Sequence, residues 1–437
     1  MENMKYIFEH KNYAMVMLLS ILLYSLFLIP NEDIAKIFQL IFIIGSIPIF
    51  FYHRSIIFKD PMFKLLVLAI FIAIISWLNA YINLSDIANS FPTVDRLGKL
   101  FGFVLMAYWL KGSLRNVYLL WGALAIGFII GCFVHVNFFN EVTQAINGVR
   151  VDFAIKNAQF TSMFSSISLL ICGLIFTQLL SNRKPFQTLT HSNKVLLSIF
   201  IILGFLFFAF VIIVTQSRQA WLALSIALIL SPIFYTAVYQ NSNRKFIFIS
   251  YLLIGVTFAG LSQLEIIHER VLRNTTTLQK IVSGDLDNIA MTSMGIRVNS
   301  WIAAADWIKE RPIIGSSPAA IPEVIQQSDK FTGDLKRFGH LHNYHIETLV
   351  AYGVFGLLLI YTLYYWLVRS LFISQKQQPE LKVITLFSLI FVTFWACINC
   401  FETFNGRTFG VYTHNIMFAG FYTFYLTSSL NKTKKLI

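Results

Sequence analysis

Apolar stretches of roughly 17–25 residues recur along the chain, separated by short polar connections. That is the length a helix needs to cross the hydrocarbon core of a bilayer, where each backbone polar group must be satisfied within the protein. The pattern predicts an all-α polytopic membrane protein of about twelve spans, at residues 13–30, 34–52, 62–83, 98–111, 116–136, 159–181, 195–216, 219–240, 246–262, 343–368, 383–400 and 413–430. The stretch at 98–111 is short for a span and reads as tilted, broken or partly inserted.

One polar segment interrupts the alternation, from about residue 263 to 342. It is too long for a plain connection and is expected to be structured. Helical periodicity marks Leu264–Ile281 and Arg297–Glu310, the latter stopped by Pro312, and Ser317 before Pro318 opens a third helix ending near Asp329. The chain thus divides into a first block of spans at 1–262, a large helical loop at 263–342 and a last block of spans at 343–437.

Composition agrees: 57% of residues are hydrophobic and 13% charged, with a mean hydropathy of +0.67. The net charge of +13 does not form a stripe for nucleic acid, because the basic residues are spread over short connections. Lys5, Lys11, Arg54, Lys59, Lys111, Arg115, Arg183, Lys184, Lys194, Arg244, Lys245, Arg369, Lys376, Lys382, Lys432, Lys434 and Lys435 fall on one side of a twelve-span layout. By the positive-inside rule that side is the cytoplasm and holds both termini. Lys5 and Lys11 precede an apolar run without a small-residue cleavage site, so the first span is expected to be retained. Cys132 and Cys172 lie in apolar runs, and Cys397 and Cys400 read as interior residues, although C-I-N-C also fits a redox pair.

The opposite face gathers the unusual polar residues. His340, His342 and His345 stand where the polar segment meets a span, and Asn343 is placed to cap that helix. An imidazole there, beside the opening N–H groups, suits proton abstraction near neutral pH. A metal reading is weaker, since His342 and His345 share a face but no Cys, H-E-x-x-H or spaced acid completes a ligand set. Glu347 reads as a neighbour or tuning charge. Arg218, at the mouth of a span, is either an interfacial arginine snorkelling to headgroups or a phosphate clamp. Arg297 and Arg150, the latter with Lys156 nearby, read alone as surface charges on the same face. No Walker motif, dinucleotide fingerprint or G-x-S-x-G is present.

S-R-Q-A-W at a span start, R-V-N-S-W-x-x-A-x-x-W-I-x-x-x-P-I-I-G in the large loop and H-x-H-N before a span with G-V-F-G follow in order. Together they resemble the bacterial O-antigen ligase family, within a superfamily that includes O-antigen polymerases and protein O-oligosaccharyltransferases. The G-S-S after Pro312 departs from the G-x-G often found there, and little weight is attached to that loop. The resemblance implies a membrane-embedded glycosyltransferase of the bacterial inner membrane, GT-C-like, with a periplasmic site. It implies transfer of a glycan from undecaprenyl diphosphate to lipid A–core, inverting, with no metal or other cofactor. It further implies that Arg218, Arg297 and Arg150 hold the donor diphosphate and that His342 is the general base, with His340, Asn343 and His345 in support. A polymerase shares the donor. A transporter or flippase would show similar halves and polar groups at mid-membrane, neither of which the sequence has.

Overall fold

The computed structural model describes residues 10–134, 137–240, 243–272 and 275–434. Lys5 and Lys435 of the basic flanks lie outside these residues. Among the described residues every regular element is helical. The predicted apolar stretches coincide with Lys11–Phe27, Glu32–Tyr52, Pro61–Asn83, Phe103–Leu110, Leu114–Val134, Ala158–Leu180, His191–Val214, Arg218–Tyr239, Arg244–Ser262, Tyr344–Ser374, Lys382–Ile398 and Thr408–Lys434. Eight helices among the described residues are long and apolar enough to cross a membrane. Side chains with capping oxygens start several of them: Asn31, Asp60, Asn157 and Asn343 each accept a first-turn N–H.

Burial runs from one extreme to the other. Thr408–Lys434 forms the centre, and Ile416 to Ala419 and Phe421 to Thr423 along it are wholly buried. Phe418 meets the rings of Phe103, Tyr364, Phe391 and His414, so aromatic edges fill the interior. Arg244–Ser262 buries none of its residues and presents apolar side chains outward, as a helix facing lipid does.

The short fourth stretch is broken. A 3-10 turn at Lys99–Phe101 leads through Gly102 into the eight-residue Phe103–Leu110 helix. The buried amide of Asn415 serves both sides of the break, donating to the Lys99 carbonyl at 2.9 Å and accepting the Phe103 N–H at 3.2 Å. One side chain of the central helix thus supplies hydrogen bonds that a continuous helix would have made itself.

The polar segment holds helices at Glu265–Leu272, Thr275–Ser283, Ser293–Glu310 and Ala320–Gln326. The expected Leu264–Ile281 helix appears as the first two, and Ser293–Glu310 starts four residues before Arg297. The 312–317 stretch, whose G-S-S departs from the expected pattern, is a main structural joint. It runs beside the Tyr344–Ser374 helix, whose backbone leaves helical geometry at Gly353 (φ 61°, ψ −160°). Ser316 and Ser317 donate their N–H groups to the Val350 and Ala351 carbonyls at 2.8 and 2.9 Å, and Val354 N–H donates to the Pro312 carbonyl at 2.8 Å. Ser76, from Pro61–Asn83, donates to the Ala351 carbonyl and accepts Ser317 N–H, while Asn79 donates to the Gly315 carbonyl. The break in the helix therefore leaves its backbone groups paired with the polar segment.

A Cβ on Gly353 would stand 2.3 Å from the Ile313 carbonyl, whereas one on Gly173 would meet nothing within 4 Å. Gly353→Ala is therefore expected to cost at least about 1–3 kcal/mol from backbone strain alone and to lower the melting temperature of the detergent-solubilised protein. Gly173→Ala, inside a helix, should leave it unchanged or raise it. Equal melting of the two variants would remove the joint from the account.

Candidate active site

Asn343 accepts the N–H groups of His345 and Ile346 at 3.0 and 3.1 Å, as its capping position predicts. His342, immediately before it, adopts φ 51°, a left-handed conformation that is costly for a side chain of this size. Its neighbours are fixed on both sides. Trp301 Nε1–H donates to the Leu341 carbonyl at 2.9 Å, and Tyr344 N–H donates to the Asn399 carbonyl at 2.9 Å. Trp301 lies one turn beyond Arg297, so the R-V-N-S-W motif reaches the histidine loop directly.

Glu347 gathers this loop from beneath. Its carboxylate is buried, ion-paired to Arg96, and accepts Leu341 N–H at 2.9 Å and the Thr403 hydroxyl at 2.8 Å. It is an anchor joining three chain segments, more than the neighbouring charge expected from sequence. Its place in the first helical turn is also favourable for a carboxylate.

His342 Nδ1 lies 3.2 Å from Oε2 of Glu402, the two side chains 16% and 5% exposed. Burial opposes the Glu402 carboxylate, but the His342 hydrogen bond, the Thr403 N–H and the histidine charges hold its pKa below the usual range. An ionised Glu402 only accepts, so Nδ1 carries the proton and donates it to the carboxylate. Nε2 is left as the basic atom. The His340 ring stands 4.1 Å from that of His342, edge to face. Burial, His342 and the cations Arg407 and Arg297 push His340 down to about 4, against Glu402, so it is neutral near pH 7. His345 turns away: its Nε2 bonds the Ala396 carbonyl at 3.0 Å and its ring stacks on Tyr361.

The nitrogens of His340 and His342 and a Glu402 oxygen lie within 4.8 Å of one another, close enough to share a metal ion. This is a different set from the His342–His345 pair weighed on spacing. Glu402 favours a further cation there, while the fields of Arg407 and Arg297 oppose one.

The arginines meet at the Thr215–Arg218 turn. Arg150 Nε donates to the Thr215 carbonyl at 2.9 Å. Arg218 Nη1 donates to the Arg270 carbonyl, and Arg270 Nε donates to the Gln216 carbonyl, each at 3.4 Å. Lost hydration and the cations Arg270 and Arg297 lower the Arg150 pKa against Asp152. Lost hydration likewise lowers that of Arg297, against Glu402. Arg297 thus lies within electrostatic reach of both Arg150 and the Glu402–histidine pair. Lys156 sits over the Phe160 and Phe409 rings at 5.2 and 5.8 Å. Gln216 (φ 48°), Ser317 (φ 68°) and His342 (φ 51°) place strained backbone in the segments around this region.

Sequence reasoning missed Glu402, Arg270 and Arg96. None lies in a motif, and each joins the site only through contacts between segments remote in sequence. The four cysteines are free thiols.

Residues 203–361 match the family model of the O-antigen ligases. The matched stretch contains Arg218, Arg270, Arg297 and the three histidines, and leaves out Arg96, Arg150 and Glu402. No curated protein matches the chain. The match supports an O-antigen ligase or polymerase-like function, with lipid-linked glycans and membrane lipids as the partner class.

Removing Arg96 alone would leave the Glu347 carboxylate buried without its counter-ion. Arg96→Met is expected to cost about 3–5 kcal/mol, read as a large drop in melting temperature. Adding Glu347→Leu should restore part of it, because the stranded charge is gone. A double variant no more stable than Arg96→Met would contradict the ion-pair assignment.

Proposed function

We propose that this chain, carrying the O-antigen ligase match over residues 203–361, transfers a polysaccharide from undecaprenyl diphosphate to a sugar hydroxyl of lipid A–core. One observation carries the reading: His342 is oriented by Glu402, and Arg297 lies within electrostatic reach of that carboxylate and of Arg150 in a group of arginines suited to a diphosphate. By the distribution of basic residues, this end of the helices is the periplasmic face, twelve spans cross the inner membrane, and both termini are cytoplasmic.

In this mechanism Nε2 of His342 takes the proton of the acceptor hydroxyl as its oxygen attacks the anomeric carbon of the donor. The bond from that carbon to the diphosphate oxygen breaks, and its electron pair leaves with the diphosphate. Arg297, Arg218 and Arg150 meet the growing negative charge. Attack opposite the leaving group inverts the anomeric configuration. Glu402 holds the tautomer and compensates the imidazolium once formed. Neutral His340 packs against the base, and Asn343 fixes the backbone that carries it. His345, bonded to Ala396, serves the helix start and not the reacting atoms. The leaving group is already activated, and guanidiniums supply positive charge where a metal ion would otherwise be used.

His342→Ala and Arg218→Ala are expected to abolish transfer with protein levels unchanged, read on lipopolysaccharide gels of a complemented deletion strain. Glu402→Gln, which permits the wrong tautomer, should lower turnover by about two to four orders of magnitude. Full activity in any of the three takes that residue out of the mechanism. Transfer by purified protein should survive a strong chelator; loss restored by a divalent ion would move the histidine–Glu402 group to a metal role. A deletion strain should show core without O-chain and long polymer on the carrier. Core capped by a single repeat would assign the chain to polymerisation.

A further inference from the structure

The Thr215–Arg218 turn is built beyond what an interfacial arginine needs. Three guanidinium-bearing residues, Arg150, Arg218 and Arg270, are tied to it or to each other through backbone carbonyls. The turn opens the 22-residue Arg218–Tyr239 helix, and its N-cap residue Ser217 makes no side-chain capping bond. The hydroxyl of Ser217 (3% exposed) and the amide nitrogen of Gln219 (7% exposed) are buried without a hydrogen-bond partner. Buried donors of that kind beside clustered cations and opening helix N–H groups suit a phosphate. Arg270 lines a cleft of about 640 Å³ whose walls mix Ile146, Ile213, Leu264 and Ile266 with Gln216, Glu265 and Glu269. It adjoins the ends of His191–Val214 and Arg244–Ser262, and the second of these faces lipid. Arg297 differs, since it lies one turn before Trp301, whose indole N–H reaches the Leu341 carbonyl of the histidine loop.

Resting on the ligase reading, we infer that Arg270 is a further donor-binding residue and that the arginines divide the two phosphates between them. The phosphate that carries the lipid sits at the Thr215–Arg218 turn against Arg270, with Ser217 and Gln219. Its chain leaves past Ile213, Leu264 and Ile266 on the apolar part of the adjoining cleft. The phosphate that carries the sugar sits against Arg297, within reach of the base. Arg218 and Arg150 lie between these places. A lipid monophosphate uses only the Arg270 side, whereas a lipid diphosphate uses both.

The test is direct binding of farnesyl monophosphate and farnesyl diphosphate to the full-length protein in detergent, for wild type, Arg270→Gln and Arg297→Gln. Arg270→Gln is expected to weaken both ligands by about tenfold, the loss of roughly one charge-assisted contact. Arg297→Gln should weaken the diphosphate by a similar factor and leave the monophosphate unchanged. Arg270→Lys, keeping the charge without the planar fork, should recover part of the loss. Melting temperatures within a few degrees of wild type establish that each variant is folded, and a variant that melts early is replaced by its lysine counterpart. Monophosphate binding unaffected by Arg270→Gln, or weakened equally by Arg297→Gln, overturns the division. Wild-type protein that binds neither lipid overturns the division and the ligase reading together, whereas tight diphosphate binding with no Arg270 effect overturns only the division.

Discussion

The buried Glu347 carboxylate is the contact on which the site depends. It joins Arg96, the Leu341 N–H and the Thr403 hydroxyl, and so draws together segments near residues 96, 341 and 403. Those segments carry or adjoin His340 and His342 on one side and Glu402 on the other. A carboxylate in such a place is costly to bury, and the ion pair with its two further hydrogen bonds offsets that cost. The fixed geometry of the His342–Glu402 contact follows from this anchor more than from either partner. Both residues sit on irregular backbone that would otherwise be free to shift.

Irregular backbone near a membrane needs partners, and the chain supplies them from well-ordered helices. Asn415 of the central helix bridges the break before Phe103–Leu110. The 312–317 stretch pairs with the break at Gly353, and Ser76 and Asn79 bond to the chain segments of that joint. This joint lies between Ser293–Glu310, which carries Arg297, and Tyr344–Ser374, which follows His342. Its tight backbone contacts therefore set how the two halves of the site face each other.

The helical architecture was legible because apolar length and capping residues are local properties. Asn343 as a cap and His342 beside it were readable for the same reason. The fourth stretch showed its shortness in sequence, but not the Asn415 amide that explains it. Glu347 was visible as a charge, and only packing reveals it as an anchor. Glu402 sits in a short connection whose sequence, FETFNG, carries no motif, and its tie to His342 spans sixty residues. The 312–317 loop was undervalued because its contribution lies in backbone hydrogen bonds, which a comparison of side-chain motifs does not detect. His345, by contrast, shared the apparent clustering of its neighbours while pointing into the helix packing.

The arginine group also bears on the order of events. Like charges brought together and partly desolvated repel, and that repulsion is relieved when an anion arrives. The lowered pKa of Arg150, where lost hydration and the cations Arg270 and Arg297 act together, expresses the same strain. A diphosphate gains charge as the sugar departs, so the relief grows along the reaction and is greatest for the product-side arrangement. In the proposed transfer, such a site favours bond breaking and at the same time retains the spent carrier. Release of the lipid diphosphate past Arg270 in that transfer therefore works against the same contacts that assist bond breaking.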